Sequence, residues 1–306
     1  VFLDGGCERR VRRTGDTDGT ITNDAGDDDV RAYGATVTDP DRWTDQRYLR
    51  DVQYRDDRNL AARQAIYAYL QPRVDVWSWA LDLAGVEGDE TVLDVGCGNG
   101  RYLRNLRSRG HRGLLVGIDA SAGMLQGVLV EERAQPVALG DAQRLPFATA
   151  SADIVLAMHM LYHVLSPESA VAELRRVTRP GGKVLVLLNA ADHLGELRAL
   201  LLEAGVSRPE RLDVERGRAL LAPVFDDVEV HRAAGELVVP ELMPVHDYVA
   251  SLIGVEAALS GDGAGGAVAQ QRRAALLEAV TAAADEQIRT VGAFRARTAV
   301  GCLVCR

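Results

Sequence analysis

The chain has 306 residues, 47% hydrophobic and 26% charged, enough for a sizeable buried core in one large domain or two modest ones. No apolar run approaches the roughly eighteen residues of a membrane span. The first fifteen residues carry Asp4, Glu8 and four arginines where the apolar segment of a secretory signal would sit. No membrane association and a cytoplasmic location are therefore the expectation. The formal charge of −9 argues against a nucleic-acid binder, because neutralising phosphates requires a basic face.

Six of the acids (Asp16, Asp18, Asp24, Asp27, Asp28 and Asp29) fall in one stretch without Lys or Arg, and setting them aside leaves a formal charge of about −3. Residues 1–38 read as an acidic, disordered tail. Residues 39–85 read as an N-terminal helical lid. The run Asn59–Leu70 has helical spacing with Leu60, Ile66, Tyr67 and Leu70 on one face. A second helix, Val74–Leu83, stops before Gly85, and its Trp77 and Trp79 read as packing residues.

From Thr91 onward the pattern alternates. A buried strand Thr91–Val95 leads through a glycine loop into a helix Arg101–Arg109. A strand Leu114–Ile118 precedes a helix Ser121–Glu132. Strands Pro136–Leu139 and Asp153–Ala157 follow, then a helix Pro167–Val177 and a strand Lys183–Leu188. Such alternation specifies a parallel sheet covered on both faces. Beyond it the sequence predicts a helix Asp213–Leu221, strands Val228–Arg232 and Glu236–Val239, and helical sequence over Val245–Leu259. A Gly-rich break then precedes a long helix Ala267–Val291 and a closing strand Thr298–Val304.

The segment that carries chemistry is Val92-Leu-Asp94-Val-Gly96-Cys97-Gly98-Asn-Gly100. Glycine at every second position between a strand and a helix lets the backbone approach a ligand closely, with the helix N-terminus facing it. Asp119 ends the second strand, where an acid can chelate a ribose diol. Asp141 follows the third, where it can meet an adenine amino group beside Ala142. Three acids at the carboxyl ends of adjacent strands share one crevice, the binding site of open α/β sheets.

A dehydrogenase would also use Asp119, but its fingerprint requires a glycine three residues after Gly98, where Arg101 stands. The four cysteines form no framework. Cys302 and Cys305 sit three apart on a strand and so face opposite ways, and no metal site is expected. The single lysine, Lys183, sits at a strand start, a poor place for a desolvated catalytic amine.

The stretches VLDVGCGNGRYLRNL, GIDAS, GDAQRLPFATASADIVLAMHMLYHV and ELRRVTRPGGKVLV together resemble the class I S-adenosylmethionine-dependent methyltransferases, of the small-molecule type related to the ubiquinone and menaquinone methyltransferases. The resemblance covers about residues 90–190. It implies a Rossmann-like, doubly wound, mostly parallel α/β sheet of seven strands. The core would comprise residues 86–239 and 293–306, with a helical cap at 240–292 inserted before the last strand. It implies S-adenosyl-L-methionine as cofactor. Asp94 and the Gly96–Gly100 loop, with Cys97, would cradle the methionine end, and Asp119 the ribose. Ala120, Ser121 and Met124 would surround the adenosine, and Asp141, Ala142 and Gln143 would bracket the adenine. Met158 and His159 would approach the sulfonium.

Methyl transfer from a sulfonium is an in-line displacement that depends on holding the reactants close in a dry pocket. A base is needed only where the acceptor loses a proton. His163 is the first candidate, since it follows a strand end facing the cofactor, and His159 is a weaker one. Tyr54 and Arg63, in a segment similar to the lid of related enzymes, would close over the methionine end or the acceptor. Met243, His246, Tyr248 and Leu252 would line a cap over the acceptor. The expected reaction is methylation of an O or N atom, less favourably C, of a small molecule, by a monomer or homodimer. Methylation of tRNA or protein, and cofactor binding without catalysis, are the alternatives.

Overall fold

The computed structural model describes residues 43–129, 135–206, 212–252 and 266–306, all within one compact unit, Thr36–Arg306. The expected acidic tail, parts of the expected helix Ser121–Glu132, and the Ile253–Leu259 end of the expected helix after Val245 lie outside these residues.

The lid opens with a helical turn α1 (Gln46–Tyr48), whose N-cap Asp45 accepts from the backbone N–H groups of Arg47 and Tyr48, and continues as a π-helical turn Leu49–Gln53. Helix α2 (Arg58–Ala65) runs into a 3-10 turn. The chain then straightens into a short strand, β1 (Leu70–Gln71), so Leu70 is a strand residue rather than the end of a helix. Helix α3 (Val76–Ala84) is capped by Asp75 and ends at Gly85, whose φ of 62° suits a left-handed C-cap. Lys183 Nζ donates to the Ala84 carbonyl at 3.0 Å, which satisfies one of that helix's free C-terminal acceptors.

The alternating region forms β2 (Val92–Val95), α4 (Arg101–Ser108), β3 (Leu115–Asp119), α5 (Ala122–Leu129), β4 (Val137–Leu139) and β5 (Ala152–Met158). Helix α6 (Pro167–Val177) is fixed by its Ser166 cap and a proline in its first turn. Strand β6 (Thr178–Asn189) follows without a break. Thr178 pairs with Ala152 and Lys183 with Ile154, so Arg179–Gly182 bulge out of the ladder. Helices α7 (Gly195–Glu203) and α8 (Val214–Leu221) lead to β7 (Val228–Val239). Helices α9 (Leu242–Ala250) and α10 (Gly266–Val291) stand between β7 and β8 (Phe294–Cys305).

The sheet order is β1-β7-β8-β6-β5-β2-β3-β4, with β6 to β4 parallel and β8, β7 and β1 antiparallel to their neighbours. The α/β class stands, but the sheet has eight strands rather than seven. The pair Val228–Arg232 and Glu236–Val239 is one strand, because Ala233, Ala234 and Gly235 stay in register with Val300, Ala299 and Thr298. The eighth strand is β1, which pairs with Glu236 and Leu237. Gly235 makes room for it, since a Cβ there would lie 2.8 Å from Leu70 Cδ1.

Helices cover both faces of the sheet. Leu161, Val171, Leu174 and Leu221 pack with Val155, Val186 and Leu303 on one side. Leu81, Leu103 and Leu106 pack with Leu156, Leu185 and Cys302 on the other. The α9–α10 insertion has its own apolar cluster, in which Tyr248, Val249 and Leu276 meet Ile66, Leu70 and Phe294. No helix among the described residues is long and apolar enough to cross a membrane.

Candidate active site

A cavity of about 220 Å³ opens at the carboxyl ends of β2 to β5. Strand β2 lies there between β3 and β5, and this is the point where strand order reverses. Gly96 and Gly98 form its floor, and Gly100 behind them caps α4; their φ of 72°, 55° and 77° lie in a left-handed region that disfavours side chains. The packing is as restrictive as the dihedrals. A Cβ on Gly96 would lie 2.7 Å from Met160 Cβ, and one on Gly100 2.9 Å from Val128 Cγ2. Cys97 lies in this turn, buried, and burial pushes its thiol far above its ordinary range.

Asp119 ends β3 and joins the turn to the next loop. One carboxylate oxygen accepts the Gly98 N–H at 2.8 Å and the other the Ser121 N–H at 2.9 Å. Burial raises its pKa, with the backbone donors opposing that rise. Each oxygen keeps lone-pair capacity for a further donor, and the residue lines the cavity.

Asp94 is placed differently. It is 1% exposed, neither carboxylate oxygen has a hydrogen-bond partner among the described residues, and it does not itself line the cavity. Burial first, and the charge of Asp119 second, raise its pKa to about 8. The Tyr102 hydroxyl is likewise buried with no hydrogen-bond partner among the described residues, and its pKa is raised by burial and by Asp94. Near pH 7 the unliganded Asp94 therefore holds its proton, just behind the wall.

Ala120, Ser121, Met124, Asp141, Ala142, Gln143, Met158 and His159 all line the same cavity. Asp141 is exposed and accepts from the Gln143 backbone and side-chain amide at 2.9 and 3.1 Å, a self-contained turn. Gln143 Oε1 in turn accepts from Ser166 N–H. His159 sits just past β5 with φ of 56°, an unusual conformation for a non-glycine residue. Burial drops its pKa to about 4, so its imidazole is neutral near pH 7 and a poor proton acceptor there. Among the described residues no cluster could hold a metal ion. Cys302 and Cys305 are buried in β8, their thiols pushed up to about 12 by burial.

The other wall is the lid. Tyr54 and Arg63 line the cavity, together with Gln46, Leu49, Arg50 and Gln64, which sequence reasoning missed. The Tyr54 hydroxyl lies 2.9 Å from His163 Nε2, and the Tyr54 carbonyl accepts from Ser121 Oγ at 2.6 Å. Gln46 Nε2 donates to the His163 carbonyl at 2.7 Å. Arg63 Nη1 donates to the Ser251 carbonyl at 2.6 Å, while its other terminal nitrogen is buried with no hydrogen-bond partner among the described residues.

Trp77 packs against the core as expected, and it also lines the cavity, with the Arg101 guanidinium 3.4 Å from its ring centroid, an arrangement the packing of α3 on α4 creates. The expected cap residues are elsewhere. Met243 is exposed, His246 pairs with Asp247, and Tyr248 and Leu252 are buried in the insertion's own core. None of the four is among the lining residues. Helix α9 reaches the lid instead through the Ser251 carbonyl, which also accepts from Gln53 Nε2 at 3.0 Å.

A glycine turn and strand-end acids at the switch point make this cavity the ligand crevice of an open α/β sheet. A methyltransferase-domain family matches residues 93–186. An uncharacterized methyltransferase of Mycobacterium tuberculosis is 33% identical over 180 residues, covering 58% of this chain and 71% of that protein. The chain belongs to the class I S-adenosylmethionine-dependent methyltransferases.

The malonyl-[acyl-carrier protein] O-methyltransferase of Serratia marcescens is 36% identical over 123 residues, 40% of this chain and 48% of that one. This chain spans about half the length, or less, of the first curated relatives it matches. An Anabaena variabilis structure, provisionally assigned as a methyltransferase of an antibiotic-biosynthesis pathway, shares the fold at a TM-score of 0.56. Its identity is 17%, over 76% of this chain and 96% of that one.

Proposed function

We propose that the chain transfers the methyl group of S-adenosylmethionine to an oxygen or nitrogen atom of a small molecule. The observation that carries this reading is Asp119. Its carboxylate is pinned between the glycine turn and the β3–α5 loop, with acceptor capacity to spare beside a floor that admits no side chain. Such a carboxylate suits a ribose diol, and charge-assisted hydrogen bonds of this kind are strong.

When bound, the cofactor supplies a methyl group already activated on a positively charged sulfur. The residues of this chain bind it, orient it and exclude water. Asp119 would hold the ribose, with Ala120, Ser121 and Met124 around the adenosine. Asp141, Ala142 and Gln143 would bracket the adenine. Gly96, Cys97, Gly98 and Gly100 would receive the methionine end, where the Arg63 nitrogen that has no hydrogen-bond partner among the described residues suits a carboxylate, and an arriving cation would draw the proton off Asp94. Met158 and His159 would stand near the sulfonium, and a neutral His159 does not repel it. The lid, tied to His163, Ser121 and Ser251, would keep water out.

The charge of −9 and an aromatic content of 5% favour a small-molecule acceptor over RNA. The test is to incubate the chain with methyl-labelled cofactor and, separately, small-molecule, RNA and protein fractions of a bacterial extract. Label should enter the small-molecule fraction. Label confined to RNA or protein would contradict the proposal.

A further inference from the structure

The lid end of the cavity presents an acid–base device, and its assignment rests on the methyltransferase reading above. The Trp43 carbonyl, which has no proton to give, faces His163 Nδ1 at 3.2 Å, so Nδ1 is the protonated nitrogen. Nε2 then carries the lone pair, and the Tyr54 hydroxyl 2.9 Å away donates to it. The basic nitrogen is therefore covered by Tyr54, and the phenol oxygen, with lone pairs left to accept, is what a ligand meets. Both residues line the cavity.

The pair is held from several sides. The Trp43 ring stacks on His163 at 7°, Tyr162 meets it edge-on at 4.6 Å, and Gln46 holds its carbonyl. The Arg63 guanidinium lies 5.4 Å from the Tyr54 ring centroid, where its charge favours negative charge developing on the phenol.

We infer that Tyr54 is a catalytic residue, which takes the proton of an aromatic hydroxyl on the methyl acceptor while handing its own proton to His163. The acceptor's O–H bond breaks as an O–H bond forms on Tyr54, and the Tyr54 proton forms a bond to Nε2. A carbon–oxygen bond to the methyl replaces its carbon–sulfur bond, whose electron pair stays on sulfur. The positive charge lost at sulfur reappears on the His163 imidazolium. That cation keeps its Nδ1–H on the Trp43 carbonyl and lies between aromatic rings.

The relay selects the acceptor class. A carboxylic acid is already ionised at neutral pH and would leave it idle. A phenol's proton is within reach of an imidazole, whereas an aliphatic alcohol is far less acidic. The ring-lined wall of Tyr54, Tyr162, His163 and Trp77 fits a flat aromatic molecule.

The test uses the full chain saturated with S-adenosylhomocysteine and 4-nitrophenol as probe, whose absorbance reports its ionisation. The pH is set one unit below the probe's own pKa, where about a tenth of the free probe is ionised. Probe bound to the wild type should be mostly ionised, roughly a fivefold rise or more in the nitrophenolate fraction. Bound to Tyr54→Phe or His163→Gln, each checked for saturation with S-adenosylhomocysteine, it should stay neutral. Neutral probe in the wild type, or no probe binding to the loaded protein, would overturn the inference. Ionisation that survives Tyr54→Phe would remove Tyr54 from the role, and ionisation that survives His163→Gln would remove the relay. Failure of S-adenosylhomocysteine to bind would count against the methyltransferase reading itself.

Discussion

The two walls of the cavity are built on different principles. The floor is mostly local: β2, the glycine turn, α4, β3 and Asp119 lie within about thirty residues of one another, with Met160 against Gly96 as a long-range exception. The lid is non-local. Tyr54 meets His163 109 positions later, Gln46 reaches the same residue across 117, and Arg63 and Gln53 reach Ser251 across 188 and 198. A local wall is set by backbone geometry and tolerates no added atoms. A wall assembled from distant segments is held by individual hydrogen bonds, each of which can be removed singly.

The largest expected effect comes from breaking the floor. Gly96→Ala combines a left-handed alanine, costing roughly 1–2 kcal/mol, with overpacking against Met160 that adds about 1–3 kcal/mol. It should weaken S-adenosylmethionine binding on the order of a hundredfold by calorimetry; a change below about threefold would mean that the turn yields easily.

On the lid side, Arg63→Ala removes a charged hydrogen bond to Ser251, worth about 1.5–3 kcal/mol. Proteolysis or hydrogen exchange should show residues 43–65 opening, while the sheet stays protected. Unchanged protection of the lid would deny Arg63 that role.

Gly123→Ala probes the seam between the walls. Its Cβ would lie 1.8 Å from the Arg55 carbonyl oxygen, so the turn after Tyr54 must lift off α5. The expectation is a loss of about 1–3 kcal/mol in thermal stability and a weakened Tyr54–His163 contact. A stability equal to wild type would show that the lid packs elsewhere.

The Asp94 titration gives a smaller, graded effect whose sign is fixed. Its pKa is about 8 folded against an ordinary 3.8, so between those values the folded chain holds a proton that the unfolded chain has released. The unliganded protein should therefore lose stability as pH rises through that window and level off above it. Melting curves should show that slope flattened by Asp94→Asn, and an identical slope in the variant would assign it to another group. Cofactor binding, by bringing a cation near Asp94, should release protons below pH 8.

The same local/non-local division explains what could be read from the sequence. The glycine turn, Asp119 and the start of α6 at Pro167 are legible because each signal lies within a few residues of the structure it makes. Strand β1 is not, because two residues become a strand only when Leu237 and Glu236 pair with them. The continuity of β7 through Gly235 depends on β8 in the same way. Trp77 packs like its helix neighbours, and its second role at the cavity depends on where α3 sits beside α4 and Arg101. Chain order alone points the residues of α9 toward the acceptor. An amphipathic helix shows which face is apolar but not what that face packs against, and here it meets α10 and the lid.

The most direct measurement is calorimetry of the full chain with S-adenosylmethionine, beside Asp119→Ala and with a nicotinamide dinucleotide as control. The structure predicts saturable binding of the sulfonium cofactor, weakened at least about tenfold by the substitution through loss of charge-assisted hydrogen bonds, and no binding of the dinucleotide. Equal affinity in Asp119→Ala, or a chain that takes the dinucleotide and ignores the sulfonium, would contradict it.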